Sequence, residues 1–262
     1  MKSFVKAINI VFGLLIYKYK KPNNIQIINE KYPNIINNDQ IPLKSFIPNK
    51  ASKTSIVIFP GASPYAEEHP GMIMLGSILA KAGFSTYVPR IPLLKELKIN
   101  NQIVESFQHF YLWLLNEKNL NNNNLILVGM SFGGAILLKA SIQRPMTLYA
   151  PKSILTYGTY FDFESSLDFL INGNIMINNK NKTINPHPWG LIIIFYNYLP
   201  RINIDYDVES MIKILYLRIQ ELEDEITVQL NKLPAKEKII LTDILEGNRN
   251  KEIDRIINLF LD

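Results

Sequence analysis

Hydrophobic residues gather in four short, nearly unbroken runs, separated by stretches in which they recur every third or fourth position. The runs are Ser55 to Phe59 (SIVIF), Phe84 to Val88, Leu125 to Val128 and Ser153 to Tyr157 (SILTY). Runs of this length, bounded by Gly, Pro or Asn, suit strands, and the continuous Leu125 to Val128 suits a strand buried on both faces that stops at Gly129. Met72 to Lys81 has helical spacing and ends at Ala82-Gly83. Ile103 to Leu115 repeats the pattern through Phe107, Phe110, Tyr111 and Leu114. Strands alternating with helices predict a parallel sheet with right-handed crossovers. Ahead of it, Ile25 to Ile28 and Ile41 to Phe46 read as edge strands. After SILTY the alternation ends. Asn172 to Pro188 is polar and turn-rich, and Trp189 to Leu199 is aromatic and aliphatic. Val208 to Leu233 reads as one long amphipathic helix stopped by Pro234, followed by helices over Glu237 to Leu245 and Ile253 to Leu261.

The expected fold is therefore α/β: a mostly parallel sheet with helices on both faces, and a helical region beyond it. The expected organisation is an N-terminal helix in 1–21, a core in 22–165 and a helical region in 166–262. A chain of 262 residues, 47% hydrophobic, is long enough for one large α/β domain or two small ones, and one is expected. It has no cysteine, which excludes disulfides, cysteine nucleophiles and thiolate metal sites. Nothing points to an oxidising compartment, and a cytoplasmic location is expected. The formal charge of +5 is matched by Lys2, Lys6, Lys18, Lys20 and Lys21, which have no acidic residue among them. With the rest of the chain neutral, a basic nucleic-acid surface is not expected. Between these lysines, Ala7 to Tyr17 is apolar but shorter than the ~20 residues of a membrane span. A polar YKYKKPNN stretch stands where a signal-peptide cleavage site would be. Two readings stay open: a helix lying on an anionic membrane surface, or one packed on the domain's own sheet.

Candidate chemistry centres on Gly129-Met130-Ser131-Phe132-Gly133, a G-x-S-x-G sequence between the Leu125 strand and the apolar run Ile136 to Leu138. A serine hydroxyl becomes a useful nucleophile when held clear of the backbone, beside a base, with donors facing the oxyanion it creates. Gly129 and Gly133 would leave room for a sharp turn, and Gly134 would let the new helix pack closely. The N–H of Phe132 would be one oxyanion donor. A second would come from the loop after SIVIF, Pro60-Gly61-Ala62-Ser63-Pro64, with Ala62 the first candidate and Ser63 the next. Gly61 would let the backbone come close to a substrate. No metal or organic cofactor is implied.

These residues carry a resemblance to the α/β-hydrolase superfamily, through SIVIFPGAS, AGFSTYVPR, LILVGMSFGGAILL and SILTYGTYFD, over roughly residues 40–165. The resemblance implies a serine hydrolase acting on small ester or amide substrates, with Ser131 as nucleophile, Phe132 and Ala62 as oxyanion donors, and a helical lid after Asp162. It breaks at the other two catalytic groups, an acid and a histidine that should follow the nucleophile. Asp162 is a possible acid and His187 a possible base; His69 and His109 precede Ser131. Either the chain stops before the strands that would carry the pair, leaving SILTY as an exposed edge, or His187 serves as an unusual base. The alternative function is a catalytically silent domain that binds a ligand or partner through the same pocket.

Overall fold

A computed structural model of the chain describes residues 2–37, 39–98, 101–160, 162–184 and 187–261. They form two compact units, 1–161 and 162–262.

In the first unit, helix α1 (Lys2–Ile16) precedes strands β1 (Ile25–Pro33), β2 (Gln40–Pro48) and β3 (Ser55–Phe59). Then come α2 (Pro70–Lys81), β4 (Ser85–Pro89), a short α3 (Pro92–Lys95), α4 (Gln102–Glu117), β5 (Leu125–Met130), α5 (Phe132–Ser141) and β6 (Ser153–Tyr157). The six strands make one sheet in the order β1-β2-β4-β3-β5-β6. The pairs from β4 to β6 are parallel, and β1 and β2 join antiparallel at one edge.

Alternation along β3 divides the core between the two faces of the sheet. Val57 and Phe59, with Leu125 and Leu127 of β5, pack with Phe107, Phe110 and Leu114 of α4 and Leu137 of α5. Phe59 and Phe107 stack with ring centroids 4.2 Å apart. Ile56 and Ile58 turn to the opposite face, where Phe46, Val88 and Met72 and Ala80 of α2 gather. Helices thus cover both faces, as the alternating pattern predicts. The sheet is mostly parallel.

Details of the first unit differ from the sequence reading. β5 continues through Gly129 to Met130, because Val128, Gly129 and Met130 still pair with Leu155, Thr156 and Tyr157 of β6. It is fully buried only on its Leu125/Leu127 face, while Ile126 and Val128 are half-buried. β6 ends the sheet, with Leu155 and Tyr157 exposed. Helix α1 packs on α2: Gly13 lies so close to Ile78 that a Cβ there would be 3.1 Å from its Cγ2. Among the described residues no helix is long and apolar enough to cross a membrane.

The second unit contains α6 (Phe163–Asn172), the hairpin β7 (Asn174–Ile177) and β8 (Lys180–Thr183), and helices α7 (Pro188–Tyr198), α8 (Val208–Ile219), α9 (Glu223–Leu230), α10 (Ala235–Glu246) and α11 (Lys251–Leu261). Phe195, Leu215, Leu241 and Ile256 are buried in it. The single long helix expected over Val208 to Leu233 is two helices. Glu221 takes a left-handed φ of 60°, and the Leu222 N–H closes back on the Leu217 carbonyl at 3.0 Å. This is the six-to-one bond of a Schellman ending. A new helix then starts with Glu223, Asp224 and Glu225 in its first turn, where negative charge suits the dipole. The polar, turn-rich stretch holds the hairpin. Asn178 and Asn179 turn it with φ of 52° and 59°, the two left-handed residues a tight hairpin needs.

Candidate active site

The turn at Ser131 is the most constrained point of the first unit. β5 runs directly into α5, and Ser131 joins them with φ 50° and ψ −128°, a backbone conformation that side-chain-bearing residues avoid. Its N–H extends the sheet by bonding the Tyr157 carbonyl at 2.7 Å, and its carbonyl accepts from the Gly134 N–H at 2.9 Å. The side chain is exposed and makes no capping bond to the helix it precedes.

Such a turn fits only because its neighbours lack side chains. A Cβ on Gly133 would fall 2.1 Å from the Pro60 carbonyl oxygen, and one on Gly129 would fall 2.5 Å from the Gly134 Cα. Real Cβ atoms do not approach backbone so closely. The G-x-S-x-G spacing is therefore a packing requirement of this turn.

The loop after β3 comes to the same place. A Cβ on Gly61 would stand 3.0 Å from the Ser131 Cβ and 3.2 Å from the Met130 carbonyl oxygen, so Gly61 makes room for the serine itself. The sequence reading assigned it room for a substrate. Ala62 follows, half-buried against the core cluster. Phe132 opens α5, where the first N–H groups have no acceptor within the helix. Its ring lies 6.0 Å from that of Tyr160, whose hydroxyl burial pushes above its ordinary pKa. The structure thus brings together Ser131, Phe132 and the Gly61-Ala62 loop.

A serine at a strand-to-helix turn, above a mostly parallel sheet with helices on both faces, is the arrangement of the α/β-hydrolases. The first unit has this arrangement. Among solved structures, the chain is similar to a hormone-sensitive lipase from a metagenome library, at 15% identity and a TM-score of 0.44, covering 59% of this chain and 51% of that one. For dienelactone hydrolase from Anabaena variabilis the identity is 18% and the TM-score 0.40, over 52% and 65% of the two chains. For vibralactone cyclase they are 10% and 0.46, over 68% and 59%. The matched part thus spans half to two-thirds of the length of these neighbours. The sequence matches no family model and no curated protein.

The sequence candidates for acid and base belong to the second unit, and each starts a helix there. Asp162 caps α6, its carboxylate accepting from the Ser165 N–H at 2.7 Å. That bond, with the Ser165 side chain, holds the exposed carboxyl below its ordinary pKa. His187 caps α7, with Nδ1 accepting from the Trp189 N–H at 3.1 Å. The Asn185-Pro186 part of its expected rigid turn lies outside the described residues. In the first unit, His69 caps α2 through the Gly71 N–H, and His109 Nε2 is 2.8 Å from the Pro33 carbonyl oxygen. Among the described residues, no group of three His, Asp or Glu side chains is placed to hold a metal ion.

One feature escaped the sequence. Glu67, at the far end of the Gly61 loop, is buried and takes two bonds from Arg90, from Nε at 3.0 Å and Nη2 at 2.5 Å. The Arg90 carbonyl accepts from the buried Tyr32 hydroxyl, which desolvation and the nearby Glu67 charge hold strongly protonated. A planar guanidinium gripping a carboxylate in two places fixes both position and angle. The loop that carries Ala62 is thus fastened to the end of β4.

Proposed function

We propose that the protein is a serine hydrolase acting on carboxylic ester or amide bonds, with Ser131 on a nucleophile elbow. The observation that carries the reading is the strained, uncapped and exposed serine facing the Gly61 loop. A strained non-glycine residue persists only where surrounding packing enforces it, and such residues cluster at sites of chemistry.

In this reading the Ser131 hydroxyl adds to the substrate carbonyl while a base removes its proton. The Phe132 and Ala62 N–H groups face the oxygen that becomes negative, and one such donor is typically worth about 3 kcal/mol. The carbonyl re-forms as the bond to the leaving alcohol or amine breaks, and the leaving group takes the proton. Water then releases the acyl group from Ser131. A p-nitrophenyl ester series tests the reading: turnover that disappears in Ser131→Ala supports it, and turnover unchanged in that variant removes it.

The second reading, a silent domain that binds a ligand through the same pocket, is favoured by the histidines. His69, His109 and His187 all have local structural partners. In that case neither the parent chain nor His187→Ala hydrolyses any of the esters.

A further inference from the structure

Helix α1 keeps an apolar stripe on the side turned away from the rest of the unit. A helix packed on a domain normally turns its apolar stripe to the core. Here the face toward the rest of the unit carries Gly13, set against Ile78, and Lys6, whose Nζ lies 4.6 Å from the Phe84 ring centroid. Ile10 and Leu14 are half-buried, but six other large apolar side chains point away. Phe4, Val5, Ile8, Val11, Phe12 and Leu15 are all at least half exposed, with Phe4 at 70% and Leu15 at 72%. At 3.6 residues per turn these six occupy one arc of roughly 120°. A continuous stripe of this kind in water marks a surface that something covers.

The charges say what covers it. Lys18, Lys20 and Lys21 follow the helix directly, all exposed, and Lys81 borders the groove between α1 and α2. No acidic residue occurs before Glu30. A second copy of the chain would bring two such lysine clusters together, which disfavours self-association through this face. A surface with an apolar interior and an anionic rim satisfies both features, and a helix too short to span lies in the plane of such a surface.

We infer that α1 is an in-plane membrane anchor, with its Phe4–Leu15 arc buried among acyl chains and Lys18, Lys20, Lys21 and Lys81 on anionic lipid headgroups. Vesicle binding is read without turnover, so the inference stands or falls apart from Ser131. The full chain is expected to sediment with phosphatidylcholine vesicles containing phosphatidylserine, more weakly with phosphatidylcholine alone, and less as salt rises. Replacing three exposed anchors, Phe4→Ser with Phe12→Ser and Leu15→Ser, is expected to lower the partition coefficient by at least about 100-fold. Lys18→Ala with Lys20→Ala and Lys21→Ala is expected to lower it by about 100-fold on the anionic vesicles alone, about fivefold per lysine.

The chain has no cysteine, so Ile8→Cys carrying an environment-sensitive dye reports insertion directly, with Glu117→Cys at the end of α4 as the control. A blue shift at position 8 and none at 117 supports the anchor. Three results overturn it: no vesicle binding by the parent chain, undiminished binding by the triple serine variant, or a dimer in sedimentation equilibrium that the same variant dissociates.

Discussion

Ser131 and Asp162 each stand one residue before a helix, and they use the position in opposite ways. Asp162 has extended backbone, and its carboxylate accepts from an N–H of the first turn, which is what a capping residue does. Ser131 belongs to a residue type that caps equally well, yet its backbone is strained and its hydroxyl makes no bond to α5. His187 and His69 side with Asp162. The difference separates residues explained by local stability from one that local stability does not explain. A side chain serving the helix beside it has a sufficient reason to be there, whereas Ser131 draws its reason from elsewhere.

The largest break in that comparison comes from the packing around the serine. Gly133→Ala places a Cβ against the Pro60 carbonyl, so the backbone of the turn or of the loop must move. The expected loss is about 3 kcal/mol or more in urea unfolding, against near neutrality for an alanine at an open helix start. Glu67→Ala comes next. It leaves the Arg90 guanidinium, 23% exposed, with only the Glu68 carboxylate 3.9 Å away, and about 2 kcal/mol of lost stability is expected, below the full cost for a deeply buried pair. Glu67→Gln, which keeps the shape, should recover part of it.

Smaller and opposite effects sharpen the comparison at the two helix starts. Ser131→Gly relieves the positive φ and loses no cap, so it should stabilise the first unit by about 1 kcal/mol while abolishing any ester turnover. Asp162→Ala should instead lower the melting temperature of the second unit by roughly 2–4 °C. Because the Ser165 bonds hold the Asp162 carboxyl below its ordinary pKa, the cap contributes fully above that ordinary value. The contribution fades as the pH falls through the lowered one. The alanine variant should lose this acid sensitivity, as thermal melts across the acidic range would show.

What the sequence revealed follows the range of the forces involved. Strands β3, β4, β5 and β6 were legible because apolar runs between glycine and proline signals are local patterns, and the G-x-S-x-G spacing marked the turn because its steric demands fall on adjacent residues. The Glu67 to Arg90 grip was not legible, since it joins residues 23 apart across two elements with nothing in either segment to pair them. The break at Glu221 stayed hidden because apolar residues keep helical spacing through Leu215, Leu222 and Ile226. The Asn178-Asn179 hairpin was masked by a polar composition that reads as loop. For α1, composition gave the lysines and the apolar length but not which face met the protein, because that depends on Ile78 and Phe84 more than 60 residues away.

The reactivity of Ser131 itself decides whether its strained turn serves chemistry. Treating the folded chain with a fluorophosphonate and mapping the adduct by mass spectrometry should place a single label on Ser131, absent in Ser131→Ala and undiminished in Asn122→Ala. Labelling that survives the Ser131→Ala change, or a parent chain that takes up no label at all, would contradict the hydrolase reading.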